Sequence, residues 1–466
     1  MLTYLLTLRR MPAMCRAGLV LGTLALLILG GALTAAGAEA ADYVPGEVVV
    51  GYLPGPVARI ARDAAMKMGI RAAASAPPSG ELLRLPRGVT VGGAIVRLRR
   101  QPGVAYAVPD FIAHAAGAWV PDDPGRAHHP GGWEATQWDF LPTIGLDAPD
   151  AWGNMFADHH PGGRGVVVAI LDTGVAYRNW HQFRKMPDFN RTRFVDPYDF
   201  LAGNRFPLDR NGHGTFVAAE VAESTNNGVG LTGLAYGASI MPVRVLDQNG
   251  DGDAVTIARG ITYAVQHGAK VINLSLEFDI GVTAADIPGI IGAVSYAHRH
   301  GVVVVAAAGN ESLRQLAYPA ADSAVISVGA TTRDRCLADY SNFGPRLNLV
   351  APGGGDDAAL PDPNCHPNIL NLPSIYQMTL VDAPFSWSRF GYPSGVYGTS
   401  MAAPQVTATA ALVIASGVIG RHPTPAQVLK RLEQTAQPLG GSVPNSNYGY
   451  GMVDAGAATA LVTPAL

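Results

Sequence analysis

An α/β fold is predicted for this 466-residue sequence, doubly wound on a mostly parallel sheet with helices on both faces and preceded by a small α+β domain. Three features predict it. From Trp138 onward, apolar strand-like runs alternate with segments of helical periodicity, as in sheets whose crossovers are helices. Residues 165–171, Gly-Val-Val-Val-Ala-Ile-Leu, are small and β-branched without polar alternation, as a strand buried on both faces requires. Two of the apolar runs end in residues suited to chemistry, Asp172 and Gly309-Asn310. In such sheets ligands bind outside the carboxyl ends of the strands.

Composition bounds the classes open to the chain. Hydrophobic residues make up 48% and charged residues 15%, with 55 Gly and 35 Pro, which suits a packed chain with many turns and excludes a disordered or coiled one. The length predicts two to four domains. The formal net charge of −3 gives no reason to expect a nucleic-acid or anionic-membrane partner. Three cysteines are too few for a disulfide-built scaffold.

Residues 1–40 read as a leader. Arg9, Arg10 and Arg16 precede the apolar stretch 17–36, and Ala38-Glu39-Ala40 supplies small residues at a cut site. The apolar stretch is long for a secretory signal, so an uncleaved membrane anchor is the rival, and cleavage is favoured. Export, to the medium or the periplasm, would put Cys336 and Cys365 in an oxidising compartment where pairing is open to them.

Residues 41–118 read as the small α+β domain: a strand at 46–52, a helix at 57–68, a strand at 81–85, a helix at 91–98 and a closing strand at 103–110. Residues 117–133, rich in Pro, Gly and Asp, read as an exposed linker, so 119–135 is assigned as linker and 136–461 as the main domain. There, strands are expected at 165–171, 240–246, 271–276, 301–308, 324–330 and 347–351. Helices are expected at 213–224, 254–267, 399–416 and 425–435.

The chemistry sits at three junctions. Val168-Ala169-Ile170-Leu171-Asp172-Thr173-Gly174 ends a buried strand with a carboxylate, in place to hold an imidazole in one tautomer. Asn211-Gly212-His213-Gly214-Thr215 opens a helix between glycines that let backbone approach closely. Gly398-Thr399-Ser400-Met401-Ala402-Ala403-Pro404 opens another helix, whose unpaired N–H groups favour negative charge nearby. Taken singly, each has a bland reading: a turn Asp, a structural His, an N-cap Ser. Together and in order they do not. A serine hydroxyl is a poor nucleophile until a base activates it, and His213 oriented by Asp172 supplies that base.

These motifs resemble those of the subtilisin-family serine proteases (subtilases, peptidase S8) over about residues 136–455, and the order Asp, His, Ser is the one found in subtilisin. The resemblance implies a serine endopeptidase, with Ser400 as nucleophile, His213 as general base and then acid, and Asp172 orienting His213. Ala306-Ala307-Ala308-Gly309-Asn310 matches the family segment whose Asn helps bind the oxyanion, beside the Ser400 backbone N–H. Substrate is expected to lie extended between Gly250-Asp251-Gly252 and Ser275-Leu276-Glu277, with Ala307, Ala308 and Gly309 lining the pocket for the residue before the cut. Residues 42–115 resemble the family's inhibitory propeptide, so the partners implied are protein or peptide substrates and the chain's own propeptide, and a monomer is expected.

The chemistry requires no cofactor. Asn226-Asn227-Gly228-Val229-Gly230 resembles the family's calcium loop, with Asn227 and Val229 as ligands, and equally reads as a plain turn. The carboxylate expected after the Asp172 motif is missing, for Asn179-Trp180-His181 stands there; Asp122, Asp123 and Asp188 are the candidate substitutes. The stretch from Asp247 to Gly252 imitates the start of an EF-hand loop, but Ala258 stands where the bidentate Glu belongs.

Departures from the family pattern are Glu277 and Phe278 in place of glycines, Phe216 and Ala219 in place of His and Gly, and Gln405 in place of His. None removes a triad atom. A pseudoprotease on the same fold is the rival class, although all four catalytic candidates are present. A dinucleotide site at Gly162-Gly163-Arg164-Gly165 fails because those glycines precede the strand instead of following it.

Overall fold

The computed structural model describes residues 43–461, apart from 68, 77–79, 87, 112–118 and 127–128. The leader assigned to residues 1–40 lies outside the described residues. The chain divides after residue 114 into two compact units.

The small unit runs β1 (Tyr43–Tyr52), α1 (Pro56–Lys67), β2 (Arg71–Ala76), β3 (Gly80–Arg84), α2 (Val91–Arg99) and β4 (Val104–Phe111). Its sheet is antiparallel in the order β2-β3-β1-β4. Alternate β1 residues Val48, Val50 and Tyr52 pack with Ala61 and Ala65 of α1 and Ala94 and Leu98 of α2, the period-2 and period-3.6 faces meeting in one core. Thr90 caps α2 by accepting from Gly93 N at 3.2 Å. Strand β2 is absent from the sequence expectation. Its Arg-Ala-Ala-Ala-Ser-Ala run has no β-branched residue, and antiparallel pairing with β3 makes it a strand.

The large unit contains α3 (Ala148–Ala157), β5 (Val167–Asp172), β6 (Arg193–Phe194), β7 (Tyr198–Asp199), α4 (His213–Ala222), β8 (Ser239–Arg244), α5 (Ala254–Gln266) and β9 (Val271–Leu274). It continues through α6 (Pro288–Arg299), β10 (Val303–Ala307), β11 (Ile326–Thr331), β12 (Leu349–Pro352), α7 (Thr399–Ser416), α8 (Pro425–Thr435) and α9 (Ala455–Thr459). The sheet order is β12-β11-β10-β9-β5-β8-β6, with β7 also on β8, and its strand pairs are parallel.

Residues of β5 alternate between two cores. Val168 and Ile170 pack with α4 and α7 residues such as Val217 and Val406, whereas Ala169 and Leu171 pack with Ile257 and Ile261 of α5 and Ile290 of α6. Full burial of each such aliphatic side chain is worth about 1.5–3 kcal/mol, so both layers hold the sheet. From β8 the chain crosses back over β5 to β9 and then winds outward. The carboxyl ends of β5, β9 and β10 therefore border a crevice where the winding reverses.

Three helices were not expected from sequence: α3, α6 and α9. In α6 the buried residues Ile290, Ala293, Val294 and Ala297 keep helical spacing, a signal diluted by Gly289 and Gly292. The stretch 119–135, expected to be an exposed linker, is instead part of the large unit. Trp119 meets the rings of Trp152 and Phe156 edge-on, Asp123 and Trp133 are fully buried, and Trp133 Nε1 donates to Pro121 O at 3.1 Å. Turn-forming residues marked the stretch as loop, but its two tryptophans supply enough apolar surface to bury it. Cys336 and Cys365 form a disulfide. Among the described residues, no helix is long and apolar enough to cross a membrane.

Candidate active site

Asp172 is the last residue of β5 and is fully buried. Its Oδ1 accepts from Thr173 N at 2.7 Å and from His213 Nδ1 at 2.8 Å. Because a carboxylate only accepts, Nδ1 carries the proton and Nε2 is left as the basic nitrogen. His213 opens α4 behind Gly212, whose φ of +111° lies where a side chain would be strained. Burial lowers the His213 pKa, but the charges of Asp172 and Asp209 outweigh it, so the pKa stands above its ordinary value.

Asp209, which the sequence reading passed over, ties these segments together. Its Oδ1 accepts from Thr173 Oγ1 (3.0 Å) and Gly212 N (2.9 Å), and its Oδ2 accepts from Thr215 N (2.9 Å). One buried carboxylate thus fixes the strand end bearing Asp172 against the turn bearing His213. The only sequence signal was an Asp three residues before a glycine, as in an Asx turn.

Ser400 lies in the first turn of α7. Its Oγ donates to Ser275 O at 3.4 Å, and Ser275 Oγ donates to Ser400 O at 2.8 Å, locking the loop after β9 onto the helix start. Thr407 Oγ1 extends the lock by donating to Asn273 Oδ1 at 2.8 Å. His213 and Ser400 line one cleft of about 510 Å³ with Thr173, Asn211 and the expected substrate residues Gly250, Gly252, Ser275, Leu276 and Glu277. Ala307, Ala308 and Gly309 are buried at the end of β10, and Gly309 N donates to Thr399 Oγ1 at 3.3 Å. Asn310 is exposed; its Oδ1 accepts from Thr399 N at 2.9 Å, and its Nδ2 donates to Glu277 Oε1 at 3.3 Å. An oriented imidazole, a hydroxyl at a helix N-terminus and an anchored amide bordering one crevice are parts suited to acyl transfer.

The departures from the family pattern have structural roles. Phe216 fills a buried cluster with Trp138, Ile375 and Met401. Gln405 is fully buried in α7, and its Nε2 donates to Glu220 Oε1 (2.8 Å) on α4 and to Asp139 Oδ2 (3.3 Å). Burial raises the pKa of both acids, Asp139 to about 7.

Away from the cleft, Asn227 Nδ2 donates to Asp188 Oδ1 at 2.6 Å, and Asn227 Oδ1 accepts from Val229 N at 2.8 Å. Asp123 accepts from Asn226 N at 2.6 Å and Asn227 N at 3.0 Å, and the Asp122 backbone N–H donates to Asn226 Oδ1 at 3.0 Å. Glu223 is fully buried here, with its carboxyl against that of Asp188. Burial pushes Asp123 up to about 7 and Asp188 up to about 8. A separate group, Asp334, Asp357 and His366, adjoins the disulfide, with His366 Nδ1 3.3 Å from Asp334 Oδ2.

Comparisons with known proteins find relatives for both parts of the chain. Residues 163–451 match the Subtilase family, and residues 31–110 match the fervidolysin N-terminal prodomain, a match that begins within the stretch read as leader. The chain is 33% identical to a thermophilic serine proteinase of Bacillus sp. (strain AK1) over 415 residues, 88% of this chain and 87% of that one. It is 34% identical to thermitase of Thermoactinomyces vulgaris over 301 residues, covering 64% of this chain and 88% of thermitase. A solved protease of Pseudoalteromonas arctica superposes with a TM-score of 0.57 at 28% identity, covering 73% of this chain and 99% of its own.

Proposed function

Because this chain belongs to the subtilase family, as a subtilisin-like serine protease with an N-terminal prodomain, we propose that Ser400, His213 and Asp172 are its catalytic triad and that it cuts protein chains through an acyl-enzyme. The observation that carries the reading is the 2.8 Å bond from His213 Nδ1 to the buried Asp172, on the wall of the cleft that also holds Ser400.

Ser400 Oγ attacks the scissile carbonyl carbon while His213 Nε2 takes its proton. Asp172 keeps the imidazole in the reactive tautomer and stabilises the imidazolium that forms. The carbonyl oxygen becomes negative and receives hydrogen bonds from Asn310 Nδ2 and Ser400 N–H. His213 then gives its proton to the leaving amine, and water, deprotonated by His213, releases the acyl group from Ser400. No step calls on a cofactor. Extended substrate pairs with the backbone at Gly250, Gly252 and Ser275–Glu277, with Ala307, Ala308 and Gly309 behind the pocket.

The small unit acts first as intramolecular inhibitor and is then removed, and the leader directs export of a monomeric enzyme. A structural calcium ion would be held by Asp123, Asp188, Asn227 and the Val229 carbonyl. Hard oxygen donors suit that ion, and the cluster of buried acids Asp123, Asp188 and Glu223 would be relieved by a positive charge. Thermal unfolding with calcium and with chelator tests the ion; identical midpoints refute it.

A serine-directed fluorophosphonate tests the central claim. Wild type is expected to be labelled and to lose peptidase activity, whereas Ser400→Ala takes no label. Labelling that survives Ser400→Ala overturns the assignment.

A further inference from the structure

We propose that Glu277 and Glu311 form an acidic pocket wall beside Asn310 that receives a lysine or arginine side chain, directing cleavage to the bond after a basic residue. The inference rests on the assignment of Ser400 and Asn310 to the reaction.

Glu277 follows Ser275, whose carbonyl meets Ser400 Oγ, and it lines the cleft that holds His213 and Ser400. Its side chain turns inward. Glu277 Oε1 accepts from Asn310 Nδ2 at 3.3 Å, and its carboxyl lies against that of Glu311, close enough for the two to share a proton. Glu311 follows Asn310, and its Oε2 accepts from Asn342 Nδ2 at 2.5 Å. A Cβ on Gly309 would meet Asn342 Nδ2 and, at 2.9 Å, one oxygen of each carboxyl, so the two acids and that amide converge on the face of Gly309. Asp279 lines the same cleft. Among the described residues, neither Glu277 nor Glu311 has an ion-pair partner.

Two neighbouring acids, one of them partly buried, are costly unless they share a proton or are paired with a cation. Burial and the charge of Glu311 already push Glu277 up to about 7. A substrate backbone beside residues 275–277 brings its side chain to the face of Gly309. There an ammonium or guanidinium relieves the repulsion, and a guanidinium bonds two carboxylates in its plane. An apolar side chain would instead seal both charges away from water. The bound cation also draws Glu277 Oε1 from Asn310 Nδ2, freeing that amide for the oxyanion. Recognition is thereby linked to kcat as well as to KM.

The test uses mature enzyme and tetrapeptide p-nitroanilides that differ only in the final residue: Arg, Lys, Phe, Leu or Glu. Rates are normalised to Ser400 sites titrated with a fluorophosphonate and measured at pH 8.5, where Glu277 is ionised. Arg and Lys substrates are expected to exceed Phe and Leu at least tenfold in kcat/KM. Glu277→Gln and Glu311→Gln are each expected to lower the Arg-to-Leu ratio about tenfold. A wild-type preference for Phe or Leu, or a ratio unmoved by both substitutions, overturns the proposal while leaving labelled, active Ser400 in place. Absence of labelling removes the triad assignment first, and this inference with it.

Discussion

Asn310 and Thr399 are joined twice: Asn310 Oδ1 accepts the Thr399 backbone N–H at 2.9 Å and its hydroxyl at 3.0 Å. The two donors settle which end of the amide is oxygen, so Nδ2 faces the cleft. They also attach the segment after β10 to the residue preceding Ser400. The proposed oxyanion donor and the proposed nucleophile are thus tied by one contact.

Asn310→Ala is therefore expected to lower kcat by about 10²–10³ with little change in KM. That magnitude is the one known for the corresponding change in subtilisin. Steady-state kinetics check it, and an effect confined to KM would exclude the oxyanion role.

The raised pKa of His213 predicts where activity fails in acid. Only the neutral imidazole accepts the Ser400 proton, so kcat/KM should rise with pH through a value above 6.5, the ordinary histidine pKa. The charges responsible are Asp172 and Asp209, both buried. A pH profile with its acid limb below 6 would contradict this account.

Ser400→Ala should fold and keep the small unit covalently attached, because the change removes one hydroxyl whose bond to Ser275 O is long, at 3.4 Å, and a hydrogen bond contributes about 1 kcal/mol. Trp119 is held within the large unit, so wild type is expected to cut itself at residues 112–118, ahead of that anchor. Intact mass of purified wild type and variant decides the matter. Equal trimming of both in a host without other proteases would show that Ser400 does not process its own chain.

Asp139 and Glu220 predict a loss of stability as pH rises. Burial raises both pKa values, Asp139 to about 7, against an unfolded value near 4. The folded state then holds more protons than the unfolded one between those values. The Asp139 contribution is complete below about pH 4 and is lost as pH rises through about 7, and the raised Glu220 pKa adds a loss of the same sign. Asp139→Asn should flatten that part of the curve of unfolding midpoint against pH. A slope equal to wild type would assign the dependence to other groups.

The sequence by itself determined the alternating α/β order, the buried strand ending in Asp172, the helix starts bearing His213 and Ser400, and the family. Those features are local: strand and helix periods, and glycines flanking polar residues, are legible within about ten residues. The small-unit helices and the strand 46–52 were legible for the same reason. Strand β2 and helix α6 were not, because pairing and packing overrode weak propensity. The tertiary structure alone decided that Asp209 ties Thr173 to the His213 turn, that Gln405 spans Glu220 and Asp139, and that the supposed linker is buried through Trp119 and Trp133. It also decided that Glu277 faces Gly309 and Glu311 instead of solvent. Each of these is a contact between segments remote in the chain, set by where strands end in the folded sheet, and no local periodicity encodes such a distance.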